Sequence, residues 1–395
     1  MKRVLFVDDE VAVLEALRNR LRKQRGEWEM IFATSGEEAL RECARSPFDV
    51  VVSDMRMPGM DGAALLQRIR QDYPSTTRIV LSGHAEREAV MRALPVAHQY
   101  LSKPCAIESL REVIARACAL QTLMNDPALR TIVGRVEKLP SVPTLYVELT
   151  QVLAREAPTV DDIVKVVERD PAMCIKLLQV INSAFFGLPR RVTAMREVIS
   201  YLGTEVIKSL VLATQIFTTS ESVRGLDAGA LAAIQRHSML VARAARAIAR
   251  ANPEDAFMAG MVHDIGQVVL ALADYSRFSE IGLAAKRDCV PLHVAERQRL
   301  GVTHAEAGAY VLGTWGVPFA VVEAVAGHHE PARVKSASLD TTTAIHIAQA
   351  LVSEVDASCC SVSTLDEEHL GKLGLLGEVD GWRATVARIC EGARD

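Results

Sequence analysis

Asp8, Asp9, Asp54, Ser82 and Lys103 are the residues of this chain best suited to chemistry, and each follows a short apolar run. Val4-Leu5-Phe6-Val7 leads to Asp8 and Asp9, Val50-Val51-Val52-Ser53 to Asp54, Ile79-Val80-Leu81 to Ser82, and Tyr100-Leu101 to Lys103 and Pro104. Such runs read as buried strands, so the polar groups sit just past the strands' carboxyl ends. In an open parallel α/β sheet that edge is where ligands bind. Three carboxylates gathered there repel one another and call for a divalent cation. A hard ion that accepts oxygen ligands and keeps some waters, magnesium above all, suits them.

The chemistry that fits is phosphoryl transfer to a carboxylate. Asp54 is the nucleophile that becomes an aspartyl phosphate. Asp9, helped by Asp8, holds the metal that neutralises phosphoryl oxygens. Lys103 pairs with the phosphate as a point charge, and the Ser82 hydroxyl donates to a phosphoryl oxygen. Positioning and charge neutralisation carry most of such a reaction. One strand-end aspartate is as readily a helix N-cap. The whole set in this order, each behind its own strand, is not.

These groups need a scaffold, and the first 120 residues supply alternating strand and helix signals with short connections, which predicts a doubly wound five-stranded parallel sheet. Leu14, Leu17 and Leu21 give one helix its buried stripe, and Leu65, Leu66 and Ile69 do so for another. Asp61, after the Pro58-Gly59-Met60 loop, caps the helix that follows. A helix from about Ile107 runs toward Met124, and Asn125-Asp126-Pro127 breaks it.

At the acidic positions the chain resembles the receiver domain of two-component response regulators. The matching text is VLFVDDE, VVSDMRMPGMDG, IVLSGHAE and YLSKP, over residues 1–120. The resemblance implies a flavodoxin-like fold and phosphorylation at Asp54 by a partner histidine kinase. It implies magnesium held by Asp9, Asp54 and the Arg56 main-chain carbonyl, and a cis bond between Lys103 and Pro104. Tyr100 falls where that family keeps its switch aromatic.

The chain's 395 residues predict two or three domains, and a net charge of −4 argues against a broad nucleic-acid surface. The arginines of 243–250 read as the solvated face of a packed helix. No apolar run approaches membrane-spanning length, and Met1-Lys2-Arg3 leads straight into a strand. Eight cysteines without CxxC spacing suit reduced thiols in a cytoplasm; Cys359-Cys360 reads as plain loop.

Past residue 136 strand signals stop, and helical patterns follow, punctuated at Pro140, Pro143, Pro158, Pro171, Pro189 and Gly203. Asp170-Pro171 reads as an N-cap with proline at the first helical position, and Thr159 as a similar cap. Leu177, Leu178 and Ile181 mark one core stripe, and Leu210, Val211 and Leu212 another. Within this all-α region, Met261-Val262-His263-Asp264-Ile265-Gly266 places a His-Asp pair inside an apolar helix. Such a pair offers one metal an imidazole nitrogen and a carboxylate oxygen. His237, His304, His328 and His329 are further candidate ligands; His293, His346 and His369 read as core or capping residues.

This second region resembles the HDOD domain, an all-α relative of the HD phosphohydrolases. LPSVP, VVERDPAMCIKLLQVINSAFFG, EVISYLGTEVIKSL, FMAGMVHDIGQVVLA and HAEAGAYVLGTWGVP with its trailing HHEP carry the resemblance, over 136–335. Residues 121–135 are then a linker and 336–395 a helical extension of the output domain. His237, His263, Asp264, His304, His328 and His329 match positions where catalytic HD proteins place ligands. Three departures oppose catalysis: Gln349 stands where an aspartate is expected, Gln267 where cyclic-dinucleotide phosphodiesterases keep a lysine, and no Gly-Tyr-Pro follows His328-His329-Glu330.

The expectation is a cytoplasmic phosphorelay protein. A histidine kinase phosphorylates Asp54, and a non-catalytic HDOD domain answers by binding a downstream protein or nucleotide messenger, or by forming a homodimer. The alternative is a metal-dependent HD-type phosphohydrolase under receiver control, with a transition metal in the helical domain.

Overall fold

The computed structural model describes residues 1–83, 96–123, 139–141, 143–155, 157–183, 190–213, 228–334, 338–356 and 363–393, with positions 136, 188, 218 and 219. Two compact units emerge: Met1–Glu137 with Gln179–Arg191 and Gly313–Gly316, and the remainder.

In the first unit, β1 (Lys2–Val7), β2 (Trp28–Ala33), β3 (Val50–Asp54), β4 (Thr77–Gly83) and β5 (Gln99–Lys103) form one sheet in the order β2-β1-β3-β4-β5. Every pair is parallel, with Phe6 level with Val52, Val52 with Ile79 and Leu81 with Leu101. Helices α1 (Val11–Arg20), α2 (Gly36–Arg45), α3 (Gly62–Asp72) and α4 (Ile107–Leu123) are interspersed. Burial on both faces explains why the strands read as unbroken apolar runs rather than alternating ones. Val4, Phe6, Val50, Val52, Ile79, Leu110 and Ile114 share one core. Strand order reverses between β1 and β3, and a crevice at such a switch point is where open α/β sheets bind ligands. Asp8 and Asp54 lie there.

Local expectations hold at several places. Leu65, Leu66 and Ile69 are fully buried, Leu14 and Leu21 are buried, and Leu17 packs partly buried on the core. Asp61 caps α3 by accepting from the Ala64 N–H at 2.8 Å. Asp61→Ala is expected to cost about 1 kcal/mol of unfolding free energy, read by denaturant titration. The helix after Ile107 is described to Leu123, so the linker 121–135 begins as helix; its remainder from 124, with the Asn125-Asp126-Pro127 break, and Cys359-Cys360 lie outside the described residues.

The second unit is built of helices: α5 (Pro143–Leu153), α6 (Val160–Val167), α7 (Pro171–Ile181), α8 (Met195–Leu202), α9 (Thr204–Ala213), α10 (Ala228–Ile248), α11 (Pro253–Val262), α12 (Ile265–Ala273), α13 (Tyr275–Asp288), α14 (Leu292–Leu300), α15 (His304–Thr314), α16 (Phe319–Gly327), α17 (Thr341–Val355), α18 (Glu367–Lys372) and α19 (Val379–Glu391). Thr159 and Asp162 close a reciprocal capping box on α6. Asp170 caps α7 through the N–H groups of Ala172 and Met173.

Three expectations are corrected. A two-residue parallel ladder pairs Pro140 with Thr218 and Ser141 with Thr219, so strand structure does not end at residue 136. Segment Pro253–Ala273 is apolar over 21 residues, long enough to cross a membrane, but 83% of its most apolar window is buried within the protein. Its apolarity answers to a packed core on all sides. His263 and Asp264 also lie at a joint between α11 and α12, not inside one helix. Gly266, just beyond the joint, packs closely against the His304 main chain.

Candidate functional site

At the carboxyl edge of the sheet the structure brings Asp8, Asp54 and Lys103 into contact. The Lys103 ammonium sits 2.7 Å from Asp8 Oδ2 and also pairs with Asp54 Oδ1. Both carboxylates are buried, Asp8 at 2% and Asp54 at 7% exposure. Main-chain donors aim them: the Glu10 N–H donates to Asp8 Oδ1 at 3.0 Å, and the Arg56 N–H to Asp54 Oδ2 at 2.8 Å. Asp9 and the Arg56 side chain are exposed beside them.

Backbone close-packing fixes Asp54 from behind. A Cβ on Gly62 would lie 2.1 Å from the Asp54 carbonyl oxygen, and the Gly62 N–H donates to the Met55 carbonyl at 2.9 Å. The Lys103–Pro104 peptide is cis, as the family resemblance implied. Tyr100 is buried, and its hydroxyl donates to the Ala97 carbonyl at 3.2 Å. Ser82 occupies the end of β4; its side chain lies outside the described atoms.

The electrostatics follow from burial. Desolvation pushes the Asp54 carboxyl above its ordinary value, against the hydrogen bond and charge of Lys103. Burial alone would lower the Lys103 ammonium, but the hydrogen bonds and charges of Asp54 and Asp8 outweigh it and raise it. Two buried carboxylates thus share one ammonium, with Asp9 adjoining. That negative balance fits a hard dication bound through oxygen.

A second constellation lies in the helical unit. Asp264 Oδ1 is 3.3 Å from His304 Nε2, and Asp264 Oδ2 is 3.4 Å from His263 Nε2 and 4.0 Å from His237 Nε2. His329 Nε2 lies 2.9 Å from His304 Nε2. His304, His328 and His329 form one potential ligand group, and His237, His263 and Asp264 another. All six candidates therefore converge, drawn from α10, the α11–α12 joint, α15 and the end of α16.

The outward ring nitrogens are tied down. His263 Nδ1 donates to the Gly260 carbonyl and His328 Nδ1 to the Val325 carbonyl, each at 2.7 Å. His304 Nδ1 donates to Glu296 Oε2 at 2.7 Å, and the same oxygen accepts the His304 main-chain N–H at 2.8 Å. Burial lowers His328 and His329 well below the usual imidazole range and holds His237 at about 4. His304 runs the other way: against its desolvation, Glu296 and Asp264 raise it to about 10.

Glu296 was not singled out from the sequence. It stands among Arg297, Gln298 and Arg299, text that reads as a solvated face, yet it is fully buried. His293, read as a core residue, stacks on His329 with ring centroids 4.0 Å apart, so it borders the cluster. His346 and His369 behave as expected. His346 donates to the His328 carbonyl and accepts from the Asp366 N–H, and His369 meets the Thr343 hydroxyl. Gln349 is buried, and neither of its amide atoms has a hydrogen bond.

Two of the three arginines of 243–250 are engaged within the unit, and Arg243 is exposed. Arg246 stacks over Phe257 at 3.7 Å and pairs with Glu254 at 2.7 Å, while Arg250 pairs with Glu378.

Comparison with known proteins matches residues 4–115 to the response regulator receiver domain and 139–331 to the HDOD domain. The Hydrogenase transcriptional regulatory protein HoxA of Cupriavidus necator is 34% identical over 31% of this chain and 25% of its own length. An uncharacterised protein of Treponema pallidum is 24% identical over 55% of this chain and 43% of its own. The chain thus spans between a quarter and under half of the length of these curated relatives. The crystal structure of the MmoQ response regulator from Methylococcus capsulatus is 22% identical, covers 64% of this chain and 98% of that one, and has a TM-score of 0.50, a likeness of fold.

Proposed function

The chain belongs to the response regulators, joining a receiver domain to an HDOD domain, and from that premise we propose that Asp54 accepts a phosphoryl group from a histidine kinase and so controls a non-catalytic output. The observation that carries this reading is the Lys103 ammonium held between buried Asp8 and Asp54 at the sheet's switch point. Asp54 Oδ1 attacks phosphorus as the phosphorus–nitrogen bond of the donor phosphohistidine breaks, and the departing imidazole takes up a proton. The Arg56 N–H keeps the carboxylate turned for attack. Lys103 then exchanges an Asp54 oxygen for a phosphoryl oxygen, and Ser82 donates a hydrogen bond to another. Asp8, Asp9, Asp54 and the Arg56 carbonyl would hold Mg2+, which neutralises charge on the transferring group.

Phosphorylation adds close to two negative charges at Asp54. Tyr100, on the same strand as Lys103, and Ser82, closing β4, carry that change toward the receiver surface. We assign the receiver to 1–120, a linker to 121–135, the output domain to 136–335 and its extension to 336–395, in a cytoplasmic protein. The output binds a downstream protein, a nucleotide messenger or a second copy. An affinity capture with wild type and Asp54→Ala, each with and without a small phosphodonor and Mg2+, tests this. A partner or dimer that appears or disappears only in phosphorylated wild type supports it; identical captures in all four samples contradict it.

A metal-dependent phosphohydrolase is the second reading, favoured by the convergence of six potential ligands. Gln267, Gln349 and the missing Gly-Tyr-Pro weigh against it, since a lost carboxylate weakens a metal-bound hydroxide. Removing divalent metal with a chelator is expected to stop Asp54 phosphorylation, and supplying Zn2+ is expected to give no turnover on a panel of nucleotides and cyclic dinucleotides.

A further inference from the structure

We infer that the histidine cluster holds one divalent first-row transition ion in a closed, non-hydrolytic centre, with Glu296 as the positioning residue that turns His304 toward it. This concerns the same cluster as the hydrolase reading but depends neither on turnover nor on phosphorylation of Asp54.

Three observations lead there. His328 Nε2 is buried and makes no hydrogen bond, while His263 Nε2 and Asp264 Oδ1, also buried, have only ion-pair neighbours at 3.3–3.4 Å within the cluster and no hydrogen bond of good geometry. The opposite nitrogens of His263, His304 and His328 are each fixed by a carbonyl or carboxylate, which turns their Nε2 atoms toward the cluster; on His304 an ion would displace the Nε2 proton. The separations suit a single coordination sphere. With metal–nitrogen bonds of about 2.0–2.1 Å, neighbouring ligands lie about 2.9 Å apart in an octahedron and about 3.3 Å in a tetrahedron. Three pairs fall at 2.9 Å (His304 and His329), 3.3 Å (Asp264 and His304) and 3.4 Å (His263 and Asp264), while His237 stands further out, 4.0 Å from Asp264.

Charge sets the number of ions. Asp264 and Glu296 bring two negative charges to the cluster, which balance one dication. A second dication would leave a buried excess of two positive charges, and Gln349 offers none in return. Imidazole with one carboxylate suits zinc or cobalt rather than magnesium or calcium. His263, His304 and His328 are fully buried, as in a structural site rather than one open to substrate.

The test uses tag-free, chelator-stripped full-length protein titrated with Zn2+ and with Co2+, the bound metal being counted by mass spectrometry. One equivalent per chain is expected, with a visible Co2+ absorption band. Glu296→Gln, close in shape, is expected to weaken binding about 10- to 100-fold and shift the Co2+ band, with an unchanged circular dichroism spectrum. His263→Asn is expected to abolish binding; should it misfold, the Glu296→Gln titration decides alone. No binding, two equivalents, or one equivalent unchanged in the variants would overturn the assignment. Hydrolysis by the metal-loaded protein would overturn its non-hydrolytic part and leave the ion count standing.

Discussion

Asp54→Asn is expected to reduce Mg2+-dependent phosphorylation by acetyl phosphate to background, while the protein melts at or above the wild-type temperature. The nucleophile is lost outright, because an amide oxygen cannot form the acyl phosphate. Stability moves the opposite way for a separate reason. Asp54 is a buried carboxylate that shares Lys103 with Asp8, and its desolvation already pushes its carboxyl upward. Removing one charge from that crowd relieves repulsion while Lys103 keeps Asp8. Gel mobility of the phosphoprotein and a thermal melt, run side by side, read both effects. Retained phosphorylation would place the acceptor elsewhere.

Gly266→Ala is expected to be the most damaging single-methyl change in the helical unit. A Cβ there would stand 1.8 Å from the His304 carbonyl oxygen, 2.6 Å from its carbon and 2.8 Å from the Gly308 nitrogen. All three are backbone atoms, so α12 and α15 must separate. Overpacking of this kind costs about 1–3 kcal/mol and more where backbone must shift. The same shift pulls Asp264 from His304, so Zn2+ binding is expected to fall with stability. Gly282 supplies the control: it lies inside α13, and a Cβ there would meet nothing within 4 Å. Gly282→Ala is expected to be neutral or to stabilise by up to about 1 kcal/mol. Equal melts for the two variants would show that α12 and α15 cross with room to spare.

The acid pocket was legible because each of its residues is announced locally. A valine-rich run ends at Asp54, another apolar run at Asp8, and the parallel sheet does the rest by aligning strand ends. Asp61 and Thr159 were legible as caps for the same reason, since capping depends on a few neighbouring residues. The helical unit was readable in its ligands but not in their setting. Nothing near Glu296 marks it as buried; α14 turns it inward only because His304, eight residues later, presents both an N–H and an Nδ1–H to one oxygen. The joint at His263-Asp264 was hidden by apolar residues on both sides, which read as one helix. Just beyond it Gly266 meets a main chain about forty residues further on, a contact that periodicity does not encode.

The most direct measurement is chemical mapping of the acceptor. Full-length protein is phosphorylated with a small phosphodonor and Mg2+, reduced with borohydride to convert any acyl phosphate to homoserine, and digested for peptide sequencing by mass spectrometry. Homoserine at position 54 alone, absent when Mg2+ is withheld, is the predicted result. Modification at another carboxylate, or none under conditions where the protein remains folded, would contradict it.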